Sequence, residues 1–263
     1  MKDTILSVTL LLAFVFLPGV LWAADEASFP AQRSLNQLET NYRQSAINGW
    51  RMFQTSFAED KMACVNCHLN YDQMTGWAGG YPKVEVFNGT PYSVKTLHQV
   101  VLETLATHTD LPESGREAMA EDLAAYISWW GDGQPVTPGL SRDTKPASMD
   151  LDELAISVNA GKDLFYRDGP SGCTSCHGVE KKISGKGKIP LQLSFTTFPR
   201  YHRGVKKVIT IDTFLILHME ERGYVVDRAE ITSLAAFLAD VSKGQVLRPG
   251  MLPAYKETIN KTK

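Results

Sequence analysis

The sequence predicts an all-α protein built as two tandem helical units, and three observations predict it. Six segments carry apolar residues at helical spacing, while no stretch shows a convincing apolar–polar alternation. The chain contains a degenerate internal repeat. Each copy of that repeat holds one Cys-x-x-Cys-His pentapeptide, Cys64-Val65-Asn66-Cys67-His68 in the first and Cys173-Thr174-Ser175-Cys176-His177 in the second.

The helical segments are Leu38 to Phe57, Val94 to Ala106, Glu117 to Trp130, Leu151 to Phe165, Asp212 to Glu221 and Asp227 to Ser242. Asp110 or Ser114 would cap the third, and Ser148 or Asp150 the fourth. The remainder reads as loop.

The repeat is carried by landmarks in the same order. The first copy runs Asn48-Gly49-Trp50-Arg51-Met52-Phe53, the Cys pair, Tyr81-Pro82, then Leu123-Ala124-Ala125-Tyr126. The second runs Gly161-Lys162-Asp163-Leu164-Phe165, the Cys pair, Phe198-Pro199, then Leu234-Ala235-Ala236-Phe237. Between them Gly131, Gly133, Pro135, Pro138, Gly139 and Pro146 give a linker composition. The expected division is a signal peptide over 1–24, a first domain over 25–132 and a linker over 133–149, then a second domain over 150–245 and a tail over 246–263.

The signal peptide is read from Lys2, the apolar run Ile5 to Leu17, the break at Pro18-Gly19 and the small pair Ala23-Ala24. That run is short of the roughly 20 residues a membrane span needs, so no stable span is expected after cleavage. A periplasmic location follows. An apolar content of 43% and a charged content of 21% exclude disordered and collagen-like classes. A net charge of -2 gives no basic field for a nucleic acid. Lys181, Lys182, Lys186 and Lys188 form a local basic run, a solvated loop or a docking patch.

Cys-x-x-Cys-His is the attachment pattern of covalent haem. Two thiols must reach the vinyl groups on one porphyrin edge, and the next residue must turn an imidazole under the iron. Cys64, Cys67, Cys173 and Cys176 would make the thioether bonds, with His68 and His177 as proximal iron ligands. A zinc ribbon would bring its two Cys pairs much closer in sequence, and a thioredoxin-type pair would not explain His after both. All four cysteines are consumed by these motifs. Two covalently bound c-type haems are the expected cofactors, each supplying core to a unit of short helices.

Around each motif the chain resembles the class I cytochrome c fold, whose early helix crosses the last one at a glycine. Gly49 and Phe53 with Tyr126, and Gly161 and Phe165 with Phe237, are the matching positions. More narrowly, Tyr81-Pro82-Lys83-Val84, Ser93-Val94-Lys95, Leu111-Pro112-Glu113, Phe198-Pro199-Arg200-Tyr201 and Val208-Ile209-Thr210 resemble the dihaem group of SoxA and thiosulfate dehydrogenase. In that group a Cys is the distal ligand of the catalytic haem. Counting equally from Pro82 and Pro199 puts Val101 and His218 at its position, and no cysteine is left to serve. The resemblance therefore implies a dihaem electron carrier working between redox partner proteins. The alternative is an enzyme of the same group acting on thiosulfate or a related anion.

Sixth ligands must come from the remaining histidines or from methionines. His218 is expected at the second haem. His98 and His108 compete at the first; setting Thr90 beside Thr210 aligns His98 with His218. Arg51, Arg200, Lys206 and Lys207 are candidates for neutralising haem propionates, or plain surface charge.

Overall fold

The computed structural model describes residues 31–57, 63–68, 71–85, 93–139, 148–167, 173–174, 195–225 and 227–251. The expected signal peptide, the basic run, Cys176 and His177 lie outside them. Among the described residues a short 3-10 turn (Leu35–Gln37), eight α-helices and two small antiparallel hairpins are present. The first half holds α1 (Thr40–Phe53), α2 (Cys64–Cys67), α3 (Tyr71–Gly80), β1 (Lys83–Glu85), β2 (Ser93–Lys95), α4 (Leu97–His108) and α5 (Glu113–Trp130). The second holds α6 (Ser148–Tyr166), β3 (Arg200–His202), β4 (Lys207–Ile209), α7 (Ile211–Glu220) and α8 (Arg228–Val241).

The six expected helices are present, with shifted ends. Pro112, rather than Asp110 or Ser114, is the N-cap of α5. α4 begins three residues late because Ser93, Val94 and Lys95 belong to β2, and Thr96 caps the helix by accepting from Gln99 N. The hairpins were not anticipated. They pair Val84 with Val94 and Tyr201 with Val208 at their centres, and three-residue strands are too short to show an alternation. α3 was also missed, since Gly76, Gly79 and Gly80 interrupt its apolar pattern.

In each half the first helix crosses the last, α1 on α5 and α6 on α8. A Cβ built on Gly49 would meet the Asp122 carbonyl oxygen at 2.0 Å, and one on Gly161 would meet that of Ser233 at 1.9 Å. Only glycine allows these backbones to approach so closely. Two main cores result. Phe53, Met74, Val101, Leu105, Met119, Leu123 and Tyr126 form the first. Phe165, Phe195, Phe198, Ile211, Leu215, Leu234 and Phe237 form the second, joined by Ala78 and Val136 from the first half.

The halves interlock. β4 packs on α1 and α5, while β1 and β2 pack on α6. Residues read as linker and tail also take part. Val136 N donates to Gln245 O at 2.8 Å and Leu247 N to Gln134 O at 2.8 Å, around a bridge between Pro135 and Val246. Thr137 N donates to Gly79 O, and Arg248 N to Thr196 O, both at 2.7 Å. The same bonds therefore occur twice, related by an approximate two-fold. Asp132, fully buried, ties this layer to the N-terminal segment through Arg33 at 2.9 Å and also pairs with Arg248 of the layer at 3.2 Å.

Candidate haem-attachment sites and the seam between the halves

α2 is a single turn made of the first motif. His68 closes it, its N–H donating to Cys64 O at 3.0 Å, while Asn66 Oδ1 accepts from Ala63 N at the other end. Cys64 is partly buried, Cys67 is exposed, and neither is in a disulfide. The His68 ring stands edge-on to Trp77 at 5.0 Å and 6.5 Å from Phe53, whose ring meets Tyr126. Burial lowers the His68 pKa, keeping the imidazole neutral as an iron ligand requires. Burial pushes the Cys64 thiol up, the opposite of an activated nucleophile. Two thiols on one turn, a neutral imidazole at its end and an apolar aromatic wall fit covalent haem.

At the second motif Cys173 packs partly buried against the second core. His218, in the last turn of α7, is half-buried with its ring stacked on Phe214 at 5.6 Å and 8°. Phe214 meets Phe198 at 5.1 Å, and the Arg200 guanidinium lies 4.3 Å over Phe198. Burial, followed by the Arg222 charge, lowers the His218 pKa against the opposing effect of Glu221. A neutral imidazole on an aromatic shelf is suited to ligation.

The two histidines expected near the first iron are separated by the fold. His108 is the exposed last residue of α4. His98 is buried, and both its ring nitrogens face other groups. Nδ1 lies 2.6 Å from Thr210 Oγ1 of the second half, and Nε2 lies 3.3 Å from Glu117 Oε2 without hydrogen-bond alignment. The expected alignment of His98 with His218 is corrected by the caps. Thr96 caps α4 and Thr210 caps α7, so His98 matches Asp212, and His218 matches Thr104. Counting from Pro82 and Pro199 failed because the loop of the first hairpin is longer than that of the second.

The caps meet at a polar seam that sequence reasoning missed. Thr96 Oγ1 donates to Asp212 Oδ2 at 2.5 Å, reciprocating the contact of His98 with Thr210. Glu121 accepts from Thr210 N at 2.6 Å and from the Thr213 hydroxyl, and Gln99 Nε2 donates to Thr232 Oγ1 at 2.7 Å. Burial opposes a charged His98, yet the close contact with Glu117 and the charges of Glu121, Asp212 and Glu117 raise its pKa overall. Burial raises the pKa of both Glu121 and Asp212. No local pattern encodes these contacts, which join residues 89 to 133 positions apart.

No described helix is long and apolar enough to cross a membrane. No protein-family model matches the chain, and no curated protein matches it significantly in sequence. Among solved structures, SoxXA from P. pantotrophus superposes with a TM-score of 0.62 at 17% identity, covering 79% of this chain and 76% of that one. Thiosulfate dehydrogenase (TsdBA) from Marichromatium purpuratum is also 17% identical, but at a TM-score of 0.29 over 81% of this chain and 48% of that one. The first likeness establishes that the chain has an all-α, cytochrome c-like fold.

Proposed function

We propose that this chain is a periplasmic dihaem c-type cytochrome that passes electrons between redox partner proteins during the oxidation of sulfur compounds. The observation that carries the reading is the Cys64–Cys67 turn with neutral His68 at its end, set in an apolar aromatic pocket. Cys64 and Cys67 hold the first haem, and Cys173 and Cys176 hold the second. His68 and His177 are the proximal ligands, and His218 is the sixth ligand of the second iron. When bound, haem supplies the one-electron chemistry, while the protein sets ligand type, burial and orientation. Arg200, over the aromatic shelf beside His218, is available to a propionate. His98 is assigned to the seam rather than to iron, since its nitrogens face Thr210 and Glu117.

Mass spectrometry of the purified protein tests this reading. Two covalent haem masses on a chain shortened near Ala23 or Ala24 are expected. A single haem, or haem extracted by acidified acetone, overturns it.

A further inference from the structure

The contacts at the seam border a partly open pocket of about 40 Å³, lined by Thr96, His98, Thr210 and Asp212 with Pro82 and Pro199. Water needs roughly 10–15 Å³ and polar partners, and both are present. His98 is 4% exposed, Glu121 4% and Asp212 5%. Asp212 Oδ1 and His98 Nε2 are buried without a hydrogen-bond partner among the described residues. Such atoms are costly unless water or a proton satisfies them. Glu117, at 39% side-chain exposure, connects His98 to solvent.

The position of this cluster matters as much as its chemistry. Leu97, next to His98, packs against both main cores, the one touching Cys64 and the one touching Cys173. Ile211, next to Asp212, belongs to the second core. An acid–base cluster shielded from bulk water responds strongly to a nearby charge change, because interior screening is weak.

We propose that this seam is a proton site linked to electron uptake: an electron gained on either side is accompanied by a proton drawn from solvent through Glu117 and kept by the His98–Glu121–Asp212 cluster. The inference rests on the dihaem reading above. The balance is one electron from a one-electron donor protein and one proton from water, with no covalent bond made or broken beyond the proton transfer. The groups facing the cluster are Glu117 and Glu121 on α5, Asp212 on α7, Lys207 on β4 and Arg228 on α8. They titrate as a coupled set, so the proton belongs to the cluster rather than to one residue. Neighbouring carboxylates raise the proton affinity of His98, and burial raises those of Glu121 and Asp212, which suits a site that gains protons.

The test is spectroelectrochemical titration of the full haem-loaded protein across pH, alongside dye-detected proton uptake on reduction in weakly buffered solution. The potential of at least one haem is expected to fall as pH rises, with protons taken up as electrons enter. His98→Gln and Asp212→Asn should weaken both effects, while the exposed change Lys162→Gln should not. A pH-independent potential with no proton uptake in the unaltered protein overturns the proposal, even if neither variant folds. Potentials of His98→Gln that follow pH unchanged overturn it as well. A high-spin haem in His98→Gln overturns it differently, by making His98 an iron ligand. Haem content, measured separately, shows whether the dihaem reading itself has failed.

Discussion

The Cα of Gly49 faces the carbonyl oxygen of Asp122 so closely that a Cβ would come within 2.0 Å of it, and Gly161 stands in the same relation to Ser233. The obstacle is backbone in a packed helix and cannot rotate away. Each glycine therefore sets how near the first and last helices of its half can come.

Gly49→Ala and Gly161→Ala are each expected to destabilise the protein by about 3 kcal/mol, the upper end of ordinary overpacking. Urea unfolding monitored by far-ultraviolet circular dichroism measures this. An effect below about 1 kcal/mol, the common single-site value, would show that the helices can separate freely.

Replacing His218 by Ala is expected to convert one haem to the high-spin form and leave the other unchanged. The motivation is its half-buried neutral ring on the Phe214 shelf. Low-temperature electron paramagnetic resonance of the oxidised protein reads both haems separately. Two unchanged low-spin signals would remove His218 from the iron.

Turnover of thiosulfate with an artificial acceptor is expected to stay at background. Thr104 and His218 are equivalent in the two capped helices, and all four cysteines lie in the attachment motifs. Sustained tetrathionate formation would move the enzymatic reading ahead of the carrier reading.

Asp132→Asn should cost about 3 kcal/mol, the lower end for breaking a buried ion pair. The carboxylate is fully buried, but Arg33 and Arg248 keep 18% and 24% of their side-chain surface exposed. Thermal unfolding is the measurement, and an unshifted midpoint would mean that the N-terminal segment is not anchored there.

Stability should also depend on pH through the seam. His98 has a folded pKa above its ordinary 6.5, so its stabilisation is complete below 6.5 and lost as pH rises through the folded value. Glu121 and Asp212, raised by burial above 4.5 and 3.8, have the same sign. The folded state binds more protons there, so stability falls as pH rises. Glu117 opposes them. Its contact with His98 lowers its pKa below 4.5, so its contribution is present above 4.5 and lost as acid protonates it. Urea unfolding between about pH 6 and pH 9 should show a declining limb that His98→Gln flattens. An equal decline in that variant would place the titration elsewhere.

Helical periodicity located α1, α4 to α6, α7 and α8 because each buries one face against a partner. The crossing glycines were also legible, being local chemistry at fixed spacing. The hairpins were not, since their strands hold only three residues each. Gly131 to Met149 read as a linker because glycine and proline mark loops equally well in solvent and in a packed layer. The structure buries Val136 completely against the other half.

The sequence by itself determined the class of protein: two repeats, helical periodicity, and Cys-x-x-Cys-His sites with no cysteine to spare. Tertiary structure alone decided which groups His98 faces. At sequence level it was a histidine on an apolar helix face, available to iron as much as to anything else. Docking the two halves put Thr210 at its Nδ1 and Asp212 at Thr96, while the packing of α5 on α4 put Glu117 beside its Nε2. Thr210 and Asp212 come from elements distant in sequence and become neighbours only when two apolar cores close around them. A side chain's chemistry is local, whereas the choice of partner depends on which surfaces the hydrophobic effect brings together.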